Sequence, residues 1–448
     1  QDRPSQPRRA RARPPLVLPP MALDSTPAGA PGMAENSGID RAEDSAVAQR
    51  KRPPPVIKGR SLLQSIWALS GGTFRIPGTK VGWYLGDFAA QLELVASTMI
   101  GMVLNIAVAT LSWKIRNSPA LSLAAKRSTI LGIAGCWACV PFAYLSARGE
   151  PMRTQVTQMG MSLQFCMAFF RLVELACGTG PKGFDFDLKR WLLHSSTIAQ
   201  LSFDREGRIR AAPRGLAAQC ARSLAVHMAV YNAMLTIGER THFTPGLPPG
   251  TDIKSLPLMG FPRSFPAAYF QVWSIYCSLL SSFQGWRCVY ALCGLDTDVP
   301  FKQPLLRAKG VRDFWGRRWN LLVHNMMKRI VFGPLAGRVG PSAAAVAAFT
   351  VSGLFHEYMW LMLNWFDMKY MPGGPLLFFM SQFSLSLVEA ALKGTRLGDT
   401  LRLMPRPAKT AVVTLLGVPF SPWFTQGLHT GGVMMSATKA LPHFVLVA

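Results

Sequence analysis

Charged residues are scarce in this chain, and acidic residues are the scarcest of them. Only 16% of the 448 residues are charged, and 23 aspartates and glutamates stand against 48 lysines and arginines. Soluble domains usually carry about 25% charged residues. Together with an apolar content of 49%, this shortage of charge argues against a soluble protein.

Several motifs of soluble enzymes are also missing. The sequence contains no P-loop, no H-E-x-x-H and no G-x-S-x-G segment, so nucleotide-hydrolase, zinc-protease and serine-hydrolase chemistry gain no support. Its one C-x-x-C pair, Cys136 and Cys139, lies in an apolar segment without a second pair to complete a metal site. We therefore expect no metal and interpret both cysteines as small buried packing residues. No internal repeat is visible, which gives no support to an inverted-repeat transporter.

Apolar segments long enough to cross a bilayer are abundant instead. Because lipid offers the backbone no hydrogen bonds, each span should be helical. The sequence therefore predicts an all-α, multi-pass transmembrane helical bundle. The roughly eight predicted spans comprise six clear ones and two weaker ones, at 89–112, 129–147, 156–177, 267–293, 343–363 and 374–392, and at 217–237 and 409–428.

The N-terminal region differs from the rest. Residues 1–60 contain no aromatic residue but eleven of the 34 prolines. We expect a disordered extension there, either a targeting segment or a gene-model extension, followed by one membrane domain at 61–448.

The formal net charge of +25 is spread over segments that connect the spans. No nucleic-acid-binding module is recognisable, so we expect basic loops beside membrane helices and no nucleic-acid partner. The loops 113–127 and 147–153 are consecutive, and both are basic. Because consecutive loops lie on opposite sides of a membrane, charge does not fix the orientation from sequence.

A histidine and a glutamate lie together inside one apolar segment. His356 and Glu357 are the only ionisable residues between Ala343 and Leu363 apart from the phenol of Tyr358. Ionisable groups at membrane depth are costly and usually line a cavity or a pathway. Burial alone leaves three interpretations open: a packing contact, a proton relay or a catalytic site.

The neighbours of His356 favour a functional role. Ser352 and Trp360 lie four residues before and after it, on the same helix face, and Gly353 permits close approach of a helix or substrate. The adjacent Glu357 needs a partner, a proton or water at this depth. Apolar surroundings favour the uncharged imidazole, which is able to accept a proton.

A second informative segment, 313–329, combines tryptophans with basic residues. If it is helical, Asn320 and His324 share one face, as do Trp315 and Trp319. An anchoring helix at the membrane interface is the simpler interpretation. The basic residues that suit such an interface are Arg317, Arg318, Lys328 and Arg329.

Together the two segments resemble the plant-type wax synthases of the membrane-bound O-acyltransferase superfamily. Phe314-Trp-Gly-Arg-Arg-Trp-Asn320 is followed further along by Ser352-Gly-Leu-Phe-His356-Glu357. Trp319-Asn320-Leu-Leu-Val-His324 is also similar to the W-N-x-x-V-H segment of sterol and diacylglycerol acyltransferases. The specific resemblance covers residues 295–365.

The resemblance implies an acyl-CoA-dependent O-acyltransferase with a central membrane-embedded reaction chamber, in the endoplasmic reticulum rather than a plastid. His356 would be the general base, and Asn320 would donate a hydrogen bond to the thioester carbonyl. Acyl-CoA would be a cosubstrate, without a further cofactor. The supporting or substrate-binding residues would be His324, Glu357, Trp319 and Ser352, with Arg317 and Arg318 for the CoA phosphates.

The sequence does not identify the molecule that accepts the acyl group. A long-chain alcohol would give a wax ester by direct transfer, and diacylglycerol, a sterol or a secondary-metabolite hydroxyl are alternatives. A proton-coupled transporter, with His356 and Glu357 as the relay, and a non-enzymatic scaffold are rivals of other classes. The expected partners are acyl-CoA, a lipid alcohol and the bilayer, and the resemblance adds the expectation of a homodimer.

Overall fold

The computed structural model describes most of the chain beyond the N-terminal region. The described residues all belong to one compact unit, 54–448. The predicted N-terminal extension lies outside the described residues. The described ranges are 72–75, 81–181, 187–196, 198–204, 206–241, 265–366, 370, 372–430 and 443–446.

Most of the described structure is helical, which confirms the all-α prediction. A small antiparallel sheet, in the order β1-β2-β3, joins Thr73–Arg75, Val81–Tyr84 and His443–Leu446. The first six helices are α1 (Phe88–Asn117), α2 (Leu123–Arg148), α3 (Gln155–Cys177), α4 (Leu188–Ser195), α5 (Leu216–Thr241) and α6 (Phe265–Leu292). The next four are α7 (Pro304–Arg307), α8 (Val311–Arg317), α9 (Leu321–Met327) and α10 (Gly333–Val339). The last five are α11 (Pro341–Leu363), α12 (Gly374–Ala391), α13 (Arg396–Leu403), α14 (Arg406–Gly417) and α15 (Ser421–Thr430).

Five of the described helices are long and apolar enough to cross a membrane: α1, α2, α3, α11 and α12. Each coincides with a predicted span. The predicted span at 217–237 falls within α5, and the span at 267–293 falls within α6 except for its last residue; both are long helices outside that set of five.

The predicted span at 409–428 is wrong as a single helix. The chain there forms α14, a 3₁₀ turn at Val418–Phe420 and then α15. Pro419 lies within this turn. Because proline lacks a backbone N–H and clashes with the preceding helical turn, it interrupts the helix.

Local sequence explains where the first spans begin and end. The side chains of Asp87, Ser122 and Thr154 accept hydrogen bonds from backbone N–H groups at the starts of α1, α2 and α3. Gly149 and Gly178 end α2 and α3 in the left-handed conformation that glycine adopts without strain.

Close approach between α11 and α12 depends on one glycine. A Cβ atom on Gly353 would lie 2.9 Å from Cα of Leu376. The sequence-based expectation that Gly353 admits a neighbouring helix is therefore confirmed. This contact places the middle of α11 beside the start of α12, where the candidate site forms.

The two cysteines at 136 and 139 differ from expectation. Both are exposed on α2 rather than buried as packing residues. Much of α2 is exposed although it is apolar, which is the pattern of a helix whose surface a bilayer covers. Periodicity did not identify the buried face, because an apolar residue suits both protein and lipid neighbours.

Candidate active site

The segment 313–329 is not one continuous helix, contrary to the sequence-based hypothesis. It divides into α8 and α9 at Arg318–Asn320, and a π-helical turn at Lys328–Phe332 follows. Asn320 adopts a left-handed conformation with φ of 39°. Its side-chain oxygen accepts a hydrogen bond from the N–H of Val323 at 3.4 Å, which caps the start of α9.

This break leaves the amide nitrogen of Asn320 available. Among the described residues, Nδ2 of Asn320 has no hydrogen-bond partner, because the cap uses only the oxygen. An uncommon backbone conformation at a non-glycine residue is often associated with function. Asn320 lines both of the cavities described below.

His356 lies half-buried on α11 among aromatic rings. Its Nδ1 lies 2.7 Å from the carbonyl oxygen of Ser352. A carbonyl can only accept a hydrogen bond, so Nδ1 carries the hydrogen, and Nε2 of the neutral ring is an acceptor. The rings of Phe379 and Phe424 lie 4.7 and 5.1 Å from the imidazole, between centroids. The imidazole is therefore oriented by one hydrogen bond and held by ring contacts.

Two cavities share the wall that contains His356. The smaller has a volume of about 100 Å³ and the larger about 430 Å³. Five residues line both cavities, so a molecule in either one would reach these five side chains. The five shared residues are Trp315, Trp319, Asn320, His356 and Phe379.

Aromatic packing holds the α8 side of this wall. Trp319 stacks on Phe314 with 5.3 Å between ring centroids, and it contacts Trp315 edge to face at 6.2 Å. Trp315 donates a hydrogen bond from Nε1 to Gln382 on α12 at 3.3 Å. The tryptophans thus belong to the cavity wall rather than to a free interfacial face.

The larger cavity contains two more of the sequence-predicted residues. His324 and Ser352 line it, but they do not line the smaller one. Burial lowers the pKa of His324, and the charge of nearby Lys328 acts in the same direction. His324 is therefore neutral near pH 7 and can either donate or accept a hydrogen bond.

Glu357 does not lie with these residues. It is buried and lines neither cavity. One carboxylate oxygen accepts a hydrogen bond from the hydroxyl of Tyr370 at 2.8 Å. Adjacent positions on a helix point about 100° apart, which explains why Glu357 and His356 have different surroundings.

The two predicted phosphate ligands also lie outside both cavities. Arg318 forms an ion pair with Asp313 and donates to the carbonyl of Lys302 at 3.1 Å, while Arg317 is exposed. The cation that does line the larger cavity is Arg312, which the sequence analysis missed. Arg312 lies three residues before Trp315 and seven before Trp319, which would place all three on one face of a continuous helix. The helix break begins before Trp319, so this spacing did not identify Arg312.

A buried ionic cluster lies apart from both cavities. Glu174 accepts hydrogen bonds from Arg171 at 3.0 Å and from Arg329 at 2.8 Å, and it lies 3.0 Å from Nε2 of His194. Burial lowers the pKa of His194 to about 3, and the charge of Arg171 adds to that effect against the attraction of Glu174. The cluster joins α3, α4 and the π-helical turn, so it connects three elements of the fold.

Comparison with known proteins gives consistent similarities. Residues 299–381 match the model of the membrane bound O-acyl transferase family. Over 115 residues, or 24% of this chain, it is 33% identical to acyl-CoA–sterol O-acyltransferase 1 of Arabidopsis thaliana, covering 32% of that protein. Over 82 residues, or 16% of this chain, it is 38% identical to the long-chain-alcohol O-fatty-acyltransferase of Simmondsia chinensis, covering 23% of it.

A longer similarity extends to a further plant protein. The chain is 29% identical over 163 residues to probable long-chain-alcohol O-fatty-acyltransferase 3 of Arabidopsis thaliana, covering 34% of this chain and 46% of the relative. The chain thus spans less than half the length of each of these relatives. The family match contains both Asn320 and His356 but ends before several residues of the smaller cavity.

Proposed function

We propose that the chain is a member of the membrane bound O-acyl transferase family and that it transfers a long-chain acyl group from acyl-CoA to a long-chain alcohol. The products would be a wax ester and CoA. The observation that carries this proposal is that His356 and Asn320 line the same two cavities. A general base and a hydrogen-bond donor at one location are what acyl transfer to a hydroxyl requires.

In this mechanism Nε2 of His356 removes the proton of the alcohol. The alcohol oxygen attacks the thioester carbon and forms the new C–O bond. When the C–S bond breaks, the CoA sulfur takes the proton back from Nε2. Because Nδ1 already binds the Ser352 carbonyl, the imidazole is held in one tautomer throughout this cycle.

Asn320 would stabilise the negative charge that develops on the thioester oxygen. Its Nδ2 is available, while its oxygen is fixed by the N–H of Val323. A donor already held in place does not have to reorganise during the reaction, which makes its contribution larger.

The lining residues suggest how the two substrates are arranged. We assign the acyl-CoA to the larger cavity, because Arg312 can bind phosphate there and His324 and Ser352 add polar groups. The smaller cavity is mostly apolar and suits the alkyl chain of the alcohol. Both substrates then meet at the shared wall.

The position of Glu357 favours acyl transfer over proton transport. A relay through His356 and Glu357 requires both groups on one pathway, whereas Glu357 binds Tyr370 and lines neither cavity.

A sterol is the alternative acceptor, because one relative is named for a sterol and others for long-chain alcohols. The chain is an integral membrane protein, and we propose the endoplasmic reticulum as its location; a homodimer stays a prediction.

The proposal is tested with purified protein in detergent or nanodiscs. Labelled palmitoyl-CoA is supplied with hexadecanol, diacylglycerol or a sterol, and the products are separated by chromatography. Labelled wax ester from hexadecanol is the expected result. If labelled ester forms only with a sterol or with diacylglycerol, that lipid is the acceptor instead of the long-chain alcohol. If no ester forms with any of the three acceptors, acyl transfer is refuted.

A further inference from the structure

The contacts between the spans determine which span ends share a membrane face. Glu93, near the start of α1, pairs with Arg148 at the end of α2 at 3.3 Å. Glu93 also accepts a hydrogen bond from the backbone N–H of Arg153, just before α3, at 2.9 Å. The start of α1, the end of α2 and the start of α3 therefore lie on one face.

The same face continues to the other two spans. Gln158, near the start of α3, donates to the carbonyl of Met362 at the end of α11 at 2.6 Å. Phe349 packs on Phe383, and His356 packs on Phe379, so α11 and α12 run antiparallel. The end of α11 and the start of α12 thus belong to this face, and the five remaining span ends form the opposite one.

The two faces carry different charge. On the first face, which we name the balanced face, the described charged residues close to the span ends include both signs: Asp87, Glu93, Glu150, Arg148 and Arg153. The opposite, basic face has mostly cations at its span ends: Lys114, Arg116, Lys126, Arg127, Arg338, Lys393 and Arg396. Acidic residues near those ends are Glu389, Asp399 and Glu174, and Glu174 is already bound to the buried Arg171 and to Arg329.

The assignment of span ends to two faces explains how two consecutive loops can both be basic in sequence and still differ in charge in the folded protein. In the loop 147–153, Arg148 is offset by Glu93 and by Glu150, each at 3.3 Å. Glu93 is distant in sequence, so the compensation appears only after folding. The loop 113–127 belongs to the basic face and contains no acidic residue.

We propose that the basic face lies on the cytoplasmic side, against the anionic leaflet, and that the balanced face lies on the opposite side. Lysine and arginine near span ends remain on the cytoplasmic side of membranes, and anionic lipids attract them there. This orientation is independent of the proposed reaction, because it rests on charge and on helix contacts alone.

The short helix α13 fits the anionic leaflet as well. It follows α12 on the basic face and exposes Arg396, Arg402 and one acidic residue, Asp399, together with Leu397 and Leu403, whose exposed fractions are 56% and 84%. Cations beside exposed leucines are typical of a helix that lies at a membrane surface. The larger cavity lies at this same end, because it is lined by Ser342 and Ser386 near the start of α11 and the end of α12.

Two exposed prolines provide matched positions for a test. Pro119 lies in the loop between α1 and α2 on the basic face, and Pro151 lies between α2 and α3 on the balanced face. In a background with the eight native cysteines replaced by alanine, Pro119→Cys and Pro151→Cys are made separately. Sealed microsomes with the cytoplasmic side outward are treated with a membrane-impermeant maleimide, before and after detergent.

The expected result is labelling of the Pro119→Cys variant in intact vesicles and of the Pro151→Cys variant only after detergent. The reverse pattern, or equal labelling of both in intact vesicles, would overturn the orientation. If the cysteine-free chain does not fold, a protease site inserted at the same two loops of the native chain gives the same decision. Cleavage at the Pro119 loop alone supports the orientation, and cleavage at the Pro151 loop contradicts it.

Discussion

At the scale of single residues, the geometry of Asn320 separates two roles of one side chain. Its oxygen caps α9, while its nitrogen has no partner among the described residues. Its φ of 39° makes alanine a poor test, because alanine adds backbone strain to the loss of the amide. Glycine tolerates this conformation, so Asn320→Gly removes the side-chain amide without straining the backbone.

We expect Asn320→Gly to lower kcat about 10²- to 10³-fold, the usual effect of removing one oxyanion donor. The thermal midpoint should fall by only a few degrees, since the cap is lost but the backbone is unstrained. Asn325→Ala is the control, because Asn325 lies on the same helix and lines neither cavity. An unchanged kcat in Asn320→Gly would remove Asn320 from the mechanism.

Some of these residues were predictable from sequence and others were not. His356 and Asn320 stood out because a polar residue in an apolar or aromatic segment is conspicuous. Arg312 and Gln382 did not, since their place in the cavity walls depends on how α8 packs against α12. Arg318 was misassigned, because its ion pair with Asp313 is a product of the turn between α8 and α9.

At the scale of elements, the position of α8 depends on a contact from α12. Glu389 accepts a hydrogen bond from the backbone N–H of Arg312 at 2.9 Å, at the start of α8. A Cβ atom on Gly310 would lie 2.5 Å from the carboxylate of Glu389. Glycine at position 310 therefore allows Glu389 to hold the helix that supplies Trp315 and Arg312 to the cavity wall.

We expect Gly310→Ala to displace the flexible Glu389 carboxylate and so remove its hydrogen bond to α8, which would destabilise the protein by about 0.5–1.5 kcal/mol and lower kcat severalfold. Thermal unfolding and the ester assay measure the two effects. Gly337→Ala is the matched control, because a Cβ atom there meets nothing within 4 Å. Equal behaviour of the two alanine variants would show that the Glu389 contact does not position α8.

The buried ionic cluster predicts acid sensitivity of the fold. His194 has a folded-state pKa of about 3, below its ordinary value of 6.5. The folded state therefore binds fewer protons, so the stability that His194 contributes is complete above pH 6.5 and declines as the pH falls towards 3. We expect the thermal midpoint to fall between pH 6.5 and pH 4, and to fall less in His194→Gln. An equally steep fall in that variant would assign the sensitivity to other groups.

At the scale of the whole molecule, the sequence established the membrane class and the helical fold but not the arrangement of the spans. Hydropathy identifies spans because bilayer thickness sets their length. It does not identify neighbours, and the pairing of Glu93 with Arg148 is what separates the balanced face from the basic face. The proposed orientation therefore depends on contacts that exist only in the folded chain.

The shape of the smaller cavity predicts a preference between acceptors. Its volume of about 100 Å³ is smaller than a whole acceptor of either kind; a flexible alkyl chain can enter it in part and bend, whereas a fused ring system is rigid. We expect kcat/KM for hexadecanol to exceed that for a sterol by about tenfold or more, the scale of discrimination by pocket shape. Competition between the two labelled acceptors measures this ratio, and a preference for the sterol would reverse the assignment.

A comparison of two alanine variants tests directly whether His356 is the general base of an acyl transfer. His356→Ala and His227→Ala are assayed with palmitoyl-CoA and the accepted alcohol. His227 is the matched control, because its Nδ1 contacts the carbonyl of Ser223 as that of His356 contacts Ser352, yet it lines neither cavity. With both variants folded, we expect a loss of at least about 10²-fold in kcat for His356→Ala and no loss for His227→Ala. Ester formation by His356→Ala at the wild-type rate would contradict this expectation.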